Sequence, residues 1–198
     1  MSDETAEPII NIRGKKVGLG PLDRSMLPDL TRWINDFETA RTLGVDPRPM
    51  TAGEEEQWFN RATTSPDIIH FAIYDLADMA HVGGVNLHAI DQRHQTCELG
   101  VAILDPNRRG QGLGTEVVIL ITDYAIHALS MHNVQLRLLA FNEAGLRAYR
   151  KAGFREYGRR REAILHNGQR SDVIFMDVIS SEWNSPVMRQ MMEPDERR

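Results

Sequence analysis

The 198-residue sequence predicts an α/β fold with one mixed, mostly antiparallel β-sheet flanked by helices. Three observations predict it. Short apolar runs typical of strands alternate with runs at helical spacing, polar turns join several strands directly as hairpins, and one helix is apolar on more than one face. The composition, with 41% hydrophobic and 26% charged residues, is that of a globular domain, which excludes a disordered chain and a fibrous repeat.

The first half of the chain predicts one strand, two helices and three antiparallel strands. The first strand covers Val17–Leu22, and apolar residues at helical spacing follow over Leu27–Phe37. Thr51 and Glu54 have the spacing of a capping box, so a second helix begins there and runs to about Ala62. The three strands are expected over Ile68–Tyr74, Gly83–Ile90 and Thr96–Leu104, with a polar turn between the last two.

The second half predicts alternating helices and strands that end in a hairpin. Asn142 is a favourable N-cap for one helix, and Gly153 is suited to end it. Asn167 and Gly168 are typical of a tight hairpin turn. The expected elements are a helix over Thr115–Leu129, a strand over Val134–Phe141, a helix over Glu143–Ala152 and strands over Phe154–Ile164 and Asp172–Ile179.

Length and charge predict one domain over residues 8–184, with loosely attached termini at residues 1–7 and 185–198. No apolar run approaches the ~20 residues of a membrane helix, and the acidic start lacks the apolar core of a secretory signal. The single cysteine, Cys97, is compatible with a reducing cytoplasm. Together with the missing signal, this predicts a cytoplasmic protein, and a homodimer stays open. The net charge of −5 argues against a general nucleic-acid or membrane partner.

A glycine-rich segment, Arg108-Arg109-Gly110-Gln111-Gly112-Leu113-Gly114-Thr115, follows a predicted strand and leads into the apolar helix. Glycines permit positive φ angles and close approach of a ligand, and a helix start favours anions. With two adjacent arginines, the segment predicts a phosphate cradle, although a tight turn would use glycines for steric relief. The Walker A lysine and the acid of a dinucleotide fold are missing, which disfavours nucleoside triphosphates and NAD.

Two motifs in this order resemble a known superfamily. The stretch from Arg109 to Gly114 resembles Arg/Gln-x-x-Gly-x-Gly/Ala, the coenzyme A pyrophosphate signature of the GNAT superfamily of N-acetyltransferases. Asn142, followed by Tyr149-x-x-x-Gly153-Phe154, resembles its downstream block. Residues 162–172 resemble the ribosomal-protein N-terminal acetyltransferase branch and the related spermidine acetyltransferases.

The resemblance implies a GNAT-type sheet and acetyl-CoA as cosubstrate. It also implies that Ala102 and Leu104 pair through their backbone with the pantetheine arm, and that Arg147 meets a phosphate unless it lies on a solvated helix face. The implied coenzyme-binding residues are Ala102, Ile103, Leu104, Arg108, Arg109, Gly110, Gln111, Gly112, Leu113, Gly114, Thr115, Asn142, Arg147 and Tyr149.

Acetyl transfer to an amine needs a base for the amine and an acid for the departing sulfur. Glu98 is the candidate base, because the resemblance puts a catalytic glutamate there and burial in an apolar strand would make it more basic. An exposed Glu98 is the alternative, and His88 and Glu162 are rivals. The resemblance makes Tyr149 the candidate acid, against the alternative of a core tyrosine.

These features predict an acetyl-CoA-dependent N-acetyltransferase that uses direct attack in a ternary complex. The acceptor is expected to be a small-molecule amine, such as a polyamine or amino sugar, or a protein N-terminus. A non-catalytic acyl-CoA sensor and a longer acyl group stay open. Glu54, Glu55 and Glu56 could attract a polycation or simply serve the helix dipole. The histidines and Cys97 lack metal-ligand spacing, so we expect no metal.

Overall fold

The computed structural model describes residues 7–45, 48–184, 187, 188 and 191. Within these residues the chain forms eight strands and five α-helices. The strands are β1 (Ile12–Arg13), β2 (Val17–Gly20), β3 (Ile69–Asp75), β4 (Ala80–Asp91), β5 (Thr96–Ile103), β6 (Asn133–Leu139), β7 (Arg155–His166) and β8 (Gln169–Ile179). The helices are α1 (Leu27–Ile34), α2 (Phe37–Ala40), α3 (Ala52–Thr64), α4 (Leu113–His127) and α5 (Glu143–Lys151).

The strands form one sheet in the order β1-β2-β3-β4-β5-β6-β8-β7, which confirms the predicted mixed, mostly antiparallel arrangement. Neighbouring strands are antiparallel except β5 and β6, which are parallel. This one parallel pairing joins only Thr96, Cys97 and Glu98 to β6. Beyond Glu98 the two strands diverge, and a gap opens in the middle of the sheet.

Helices cover both faces of the sheet, and β3 divides the two apolar cores. Phe71 and Ile73 belong to the main core beneath α4 and α5, whereas Ala72 and Tyr74 belong to a smaller core with residues of α1. This follows from the two-residue repeat of a strand, which directs alternate side chains to opposite faces. Val117 of α4 has no exposed surface, as the predicted apolar helix requires.

The helix predicted over Leu27–Phe37 ends earlier, at Ile34. The Asp36 side chain accepts a hydrogen bond from the Glu38 amide at 3.1 Å and starts the separate helix α2. Phe37 is 48% exposed as a result and is not part of the core. The polar caps therefore override the apolar spacing on which the longer helix was predicted.

Thr51 and Glu54 form the predicted capping box. The Thr51 hydroxyl accepts a hydrogen bond from the Glu54 amide at 3.2 Å, and Glu54 accepts one from the Thr51 amide at 2.8 Å. The short strand β1 was not predicted, because two residues are too few to show a strand periodicity. No helix in the described part of the chain is long and apolar enough to cross a membrane.

A buried carboxylate on α4 holds the described part of the C-terminal segment. Asp123 has no exposed surface and accepts hydrogen bonds from Trp183 Nε1 at 3.0 Å, from the Val187 amide at 3.1 Å and from the Met188 amide. Met188 is 4% exposed. The prediction of a loosely attached tail is therefore wrong at Val187 and Met188. Residues 1–6 and the rest of 185–198, apart from Met191, lie outside the described residues.

We expect Asp123→Asn to lower the free energy of unfolding by about 1–3 kcal/mol, because an amide cannot accept all of the hydrogen bonds that the carboxylate accepts. Urea unfolding at neutral pH measures the change. The control is Asp29→Asn, which removes an exposed carboxylate paired with Arg32 at 2.9 Å and should change stability by under about 0.5 kcal/mol. Equal stability of the two variants would contradict a structural role of Asp123.

Candidate active site

A cleft of about 1610 Å³ lies where β5 and β6 diverge. Its walls come from the α1–α3 region, from β4 and β5, from the glycine-rich loop and from α5. Gln111 and the rival base Glu162 are not among its lining residues, whereas the rival His88 is. The predicted site residues that line it are Glu98, Ala102, Ile103, Leu104, Arg108, Arg109, Gly110, Gly112, Leu113, Gly114, Thr115, Asn142, Arg147 and Tyr149.

The backbone N–H and C=O groups of β5 that face the gap are not those of the predicted residues. The Leu104 amide donates to the Val82 carbonyl at 2.9 Å, and the Ala102 carbonyl lies against Gly83, so both groups face β4. Backbone groups of successive strand residues point to opposite sides, so those of Val101 and Ile103 face the gap. The prediction that Ala102 and Leu104 offer their backbone to a ligand is therefore wrong by one residue.

The glycine-rich loop has the backbone conformation that its sequence predicts. Gly110 and Gly112 have φ angles of 74° and 85°, a region that residues with a Cβ rarely adopt. Gly112 is the N-cap of α4 and provides no side-chain cap. The first amides of a helix have no carbonyl partner within the helix, so those of Leu113, Gly114 and Thr115 are available to an anion.

The positive charge at this loop comes from Arg109 and not from Arg108. Arg108 is held by Asp75, with its Nη1 2.9 Å from Asp75 Oδ2, and by Asp78, so its charge is already balanced. Arg109 donates from Nε to the Ile103 carbonyl at 3.0 Å and ties the loop to the end of β5. The predicted phosphate contact of Arg108 therefore has no support in the observed pairing.

Lys16 is a further cation at the loop that sequence reasoning missed. Its Nζ donates to the Gln111 carbonyl at 3.0 Å, and Glu116 of α4 accepts the backbone amides of Lys15 and Lys16. The Gln111 side chain turns back to the Asn107 carbonyl at 2.8 Å. No local pattern could have indicated Lys16, because it lies in the β1–β2 turn, far from the loop in sequence.

Glu98 lies in a polar cluster on the sheet face opposite the main core. Its Oε1 is 3.0 Å from Arg137 Nε and 3.5 Å from His88 Nε2, and His88 Nδ1 is 2.9 Å from Asn86 Oδ1. The side chain is 23% exposed, so the expected apolar burial of this base is wrong. Sequence reasoning missed Arg137, which only the parallel pairing of β5 with β6 brings near Glu98.

The other rival base, Glu162, lies outside the site, and a second histidine, His70, lines it. Glu162 is exposed on β7 and outside the cleft, where its backbone amide donates to Asp172 Oδ1 at 2.9 Å. His70 lines the cleft beside Asn86, its neighbour across β3 and β4. Burial and then the charge of His88 lower the pKa of His70 to about 4, so His70 is neutral at neutral pH.

Tyr149 is 8% exposed and lines the cleft from α5. Burial raises its pKa to about 12, because the phenolate would lose its hydration there. Among the described residues its hydroxyl has no hydrogen-bond partner, so it is available to a ligand. Asn142 Oδ1 caps α5 by accepting from the Gly145 amide at 2.9 Å, and Arg147 is an exposed rim residue 3.3 Å from Glu143.

Solved structures share this fold. A crystal structure of spermidine N-acetyltransferase from Vibrio cholerae in complex with CoA and spermine superimposes with a TM-score of 0.78 at 24% identity, over 85% of this chain and 98% of that one. A GCN5-related N-acetyltransferase from Brucella melitensis gives 0.71 at 26% identity, over 89% of this chain and 82% of that one.

Sequence comparisons agree. The chain is 35% identical over 100 residues to the probable N-acetyltransferase YjcK of Bacillus subtilis, covering 50% of this chain and 55% of that protein. It is 26% identical over 130 residues to the spermidine N(1)-acetyltransferase of Vibrio cholerae, covering 66% and 74%. The chain thus spans little more than half of the YjcK sequence. Residues 16–155 match the acetyltransferase (GNAT) domain, and the chain therefore belongs to this family of acetyltransferase domains.

Proposed function

We propose that this protein is an acetyl-CoA-dependent N-acetyltransferase that acetylates a primary amine by direct attack in a ternary complex. The observation that carries the proposal is the meeting of Glu98, Tyr149 and the glycine-rich loop in one cleft. Glu98 is a carboxylate that can take a proton, and Tyr149 is a buried phenol that can give one. The loop is suited to hold the phosphates of the cosubstrate.

The residues at the loop fit the phosphate groups of coenzyme A. Gly110 and Gly112 let the backbone approach an anion, and the first amides of α4 point toward it. Lys16 and Arg109 add positive charge from two sides. The unpaired edge at Val101 can accept and donate backbone hydrogen bonds to the amide-bearing pantetheine arm. When bound, acetyl-CoA supplies the acetyl thioester that the amine attacks.

Glu98 takes the proton of the acceptor amine in this proposal. Its contacts with Arg137 and His88 hold the carboxylate in one orientation while part of it stays exposed to the cleft. His88 offers a second site for the proton, since its Nε2 faces Glu98 Oε1. The pair can therefore pass the proton from the amine away from the reacting atoms.

Tyr149 gives its proton to the departing sulfur. The hydroxyl is held in the cleft by a side chain packed near Phe154, with 6.3 Å between the ring centroids. With a pKa of about 12, the phenol keeps its proton at neutral pH before the reaction. The departing sulfur gains negative charge as its bond to the acetyl carbon breaks, and it accepts the proton at that point.

Gly112→Val should weaken acetyl-CoA binding by about tenfold or more, because a β-branched residue opposes the positive φ angle that the loop needs. Calorimetric titration with acetyl-CoA measures the affinity. Gly168→Val is the matched control: Gly168 has a φ angle of 74° and open space around it, but lies in the β7–β8 turn outside the cleft. Unchanged affinity in Gly112→Val would contradict the phosphate assignment of this loop.

Glu98→Gln should lower turnover at neutral pH by about 10²–10⁴-fold with unchanged acetyl-CoA affinity. The deficit should shrink as the pH rises, because a larger fraction of the amine is then already neutral. Rates of thiol release across a pH series, with a panel of amines, test both statements. Glu162→Gln, outside the cleft, should match the wild type, and near-normal turnover of Glu98→Gln would transfer the role of base to His88.

Tyr149→Phe should slow turnover by about 10²-fold at nearly constant Michaelis constants, because it removes only the proton donor. Steady-state kinetics of the folded variant measure this. Tyr124→Phe, which removes the hydroxyl of a half-buried tyrosine outside the cleft, is the control and should leave turnover unchanged. If the wild type binds acetyl-CoA but acetylates no amine, the protein is a sensor of the acyl-CoA and not an enzyme.

A further inference from the structure

The run of three acids at the start of α3 contains one carboxylate whose environment differs from the other two. Glu54 caps α3 and pairs with Arg48 at 2.7 Å, and Glu56 pairs with Arg24. Glu55 is 6% exposed and lines the cleft. Its side chain makes no hydrogen bond and no ion pair with any described residue.

An unpaired buried carboxylate is costly for a folded protein. Burial alone raises the pKa of Glu55, and no cation among the described residues offsets it. Its oxygens are not among the fully enclosed polar atoms, so the small exposed part of the residue includes them and opens to the cleft. The position is on the buried stripe of α3 with Phe59, where a core residue would stabilise the helix better. The acid is therefore suited to a ligand that brings a positive charge.

A continuous wall joins Glu55 to the proposed base. Trp58 lies one turn from Glu55 on α3, and its ring meets the His70 ring edge-on at 5.3 Å. His70 lies opposite Asn86 in the pairing of β3 with β4. The Asn86 side chain contacts His88, which lies beside Glu98. All of these side chains line the same cleft.

This wall is long. Strands lie about 4.8 Å apart and rise about 3.4 Å per residue, which separates the Cα atoms of Glu98 and His70 by about 12 Å. Trp58 contacts His70 and lies one helical turn from Glu55, so the contacts from Glu98 to Glu55 run through several side chains. A ligand that reaches both carboxylates is therefore elongated, with an apolar stretch against the indole ring.

We propose that Glu55 binds a second ammonium group of the acceptor, so that the acceptor is a linear amine with at least two cationic groups. The proposal rests on the proposed function for the place of the reacting amine. Glu98 then faces the amine that is acetylated, while Glu55 faces a distal ammonium and forms a charge-assisted hydrogen bond with it. Trp58 covers the methylene chain between them.

The test compares diaminooctane with octylamine, two linear amines of equal chain length that differ in the second ammonium group. Calorimetry in the presence of coenzyme A measures their binding to the wild type and to Glu55→Gln. We expect the wild type to prefer the diamine, and Glu55→Gln to weaken diamine binding by about 10–100-fold while octylamine binding stays the same. Glu56→Gln, at an exposed paired acid, is the matched control and should keep the preference.

Stability gives a second readout, because Gln has the shape of Glu without its charge. Glu55→Gln should unfold at the same temperature as the wild type or higher, since it removes an unpaired buried charge. A large loss of stability would mean that Glu55 is structural and would overturn the proposal. Equal binding of the two amines by the wild type, or an unchanged preference in Glu55→Gln, would also overturn it.

The binding assay does not need turnover, so failures of the two proposals are distinguishable. A diamine preference that depends on Glu55, in a protein that transfers no acetyl group, would refute the proposed acetyltransferase activity and support the ammonium site at Glu55. Acetylation of octylamine and diaminooctane with equal Michaelis constants would support the activity and refute the ammonium site. Wild-type activity with both amines, with a diamine Michaelis constant that rises about 10–100-fold in Glu55→Gln, would support both.

Discussion

The divergence of β5 from β6 is the constraint on which the site depends. Buried backbone groups are almost always hydrogen-bonded, yet β5 loses its partner on one side after Glu98. The strands stay apart because β4 and α4 hold β5, while β8 pairs with β6 along its whole length. The edge at Val101 is thus stable only if water or a ligand completes its hydrogen bonds, and an extended amide-bearing ligand can do so as an added strand.

The two ends of the cleft carry different charged groups. At the loop end, Lys16 and Arg109 lie beside the helix amides that can hold an anion. The charge of Arg108 is balanced there by Asp75 and Asp78. At the other end lie the carboxylates of Glu98 and Glu55. That end also carries arginines, with Arg48 paired to Glu54 and Arg137 beside Glu98. The feature that favours a cationic acceptor there is therefore Glu55, which has no ion-pair partner among the described residues, and not a surplus of acids.

The sequence predicted well those structural features that depend only on a few neighbouring residues. The capping box at Thr51 and the left-handed Gly112 are fixed within one helical turn, so the sequence alone indicates them. The polar cluster needed information that spacing does not carry, because Arg137 reaches Glu98 only through the parallel pairing of distant strands. The one-residue error at Ala102 has the same origin, since the free edge of a strand follows from its register.

A buried phenol can serve as the acid for a leaving thiolate, even though burial raises the pKa of Tyr149 to about 12 and makes it a weaker acid. The same protein shows what burial does to a thiol: it raises the pKa of Cys97 to about 12. A thiolate that forms against the buried Tyr149 side chain loses part of its hydration, so its proton affinity is higher than that of a fully hydrated thiolate. Burial thus raises the pKa of donor and acceptor in the same direction, which narrows the difference between them while Tyr149 stays protonated before the reaction.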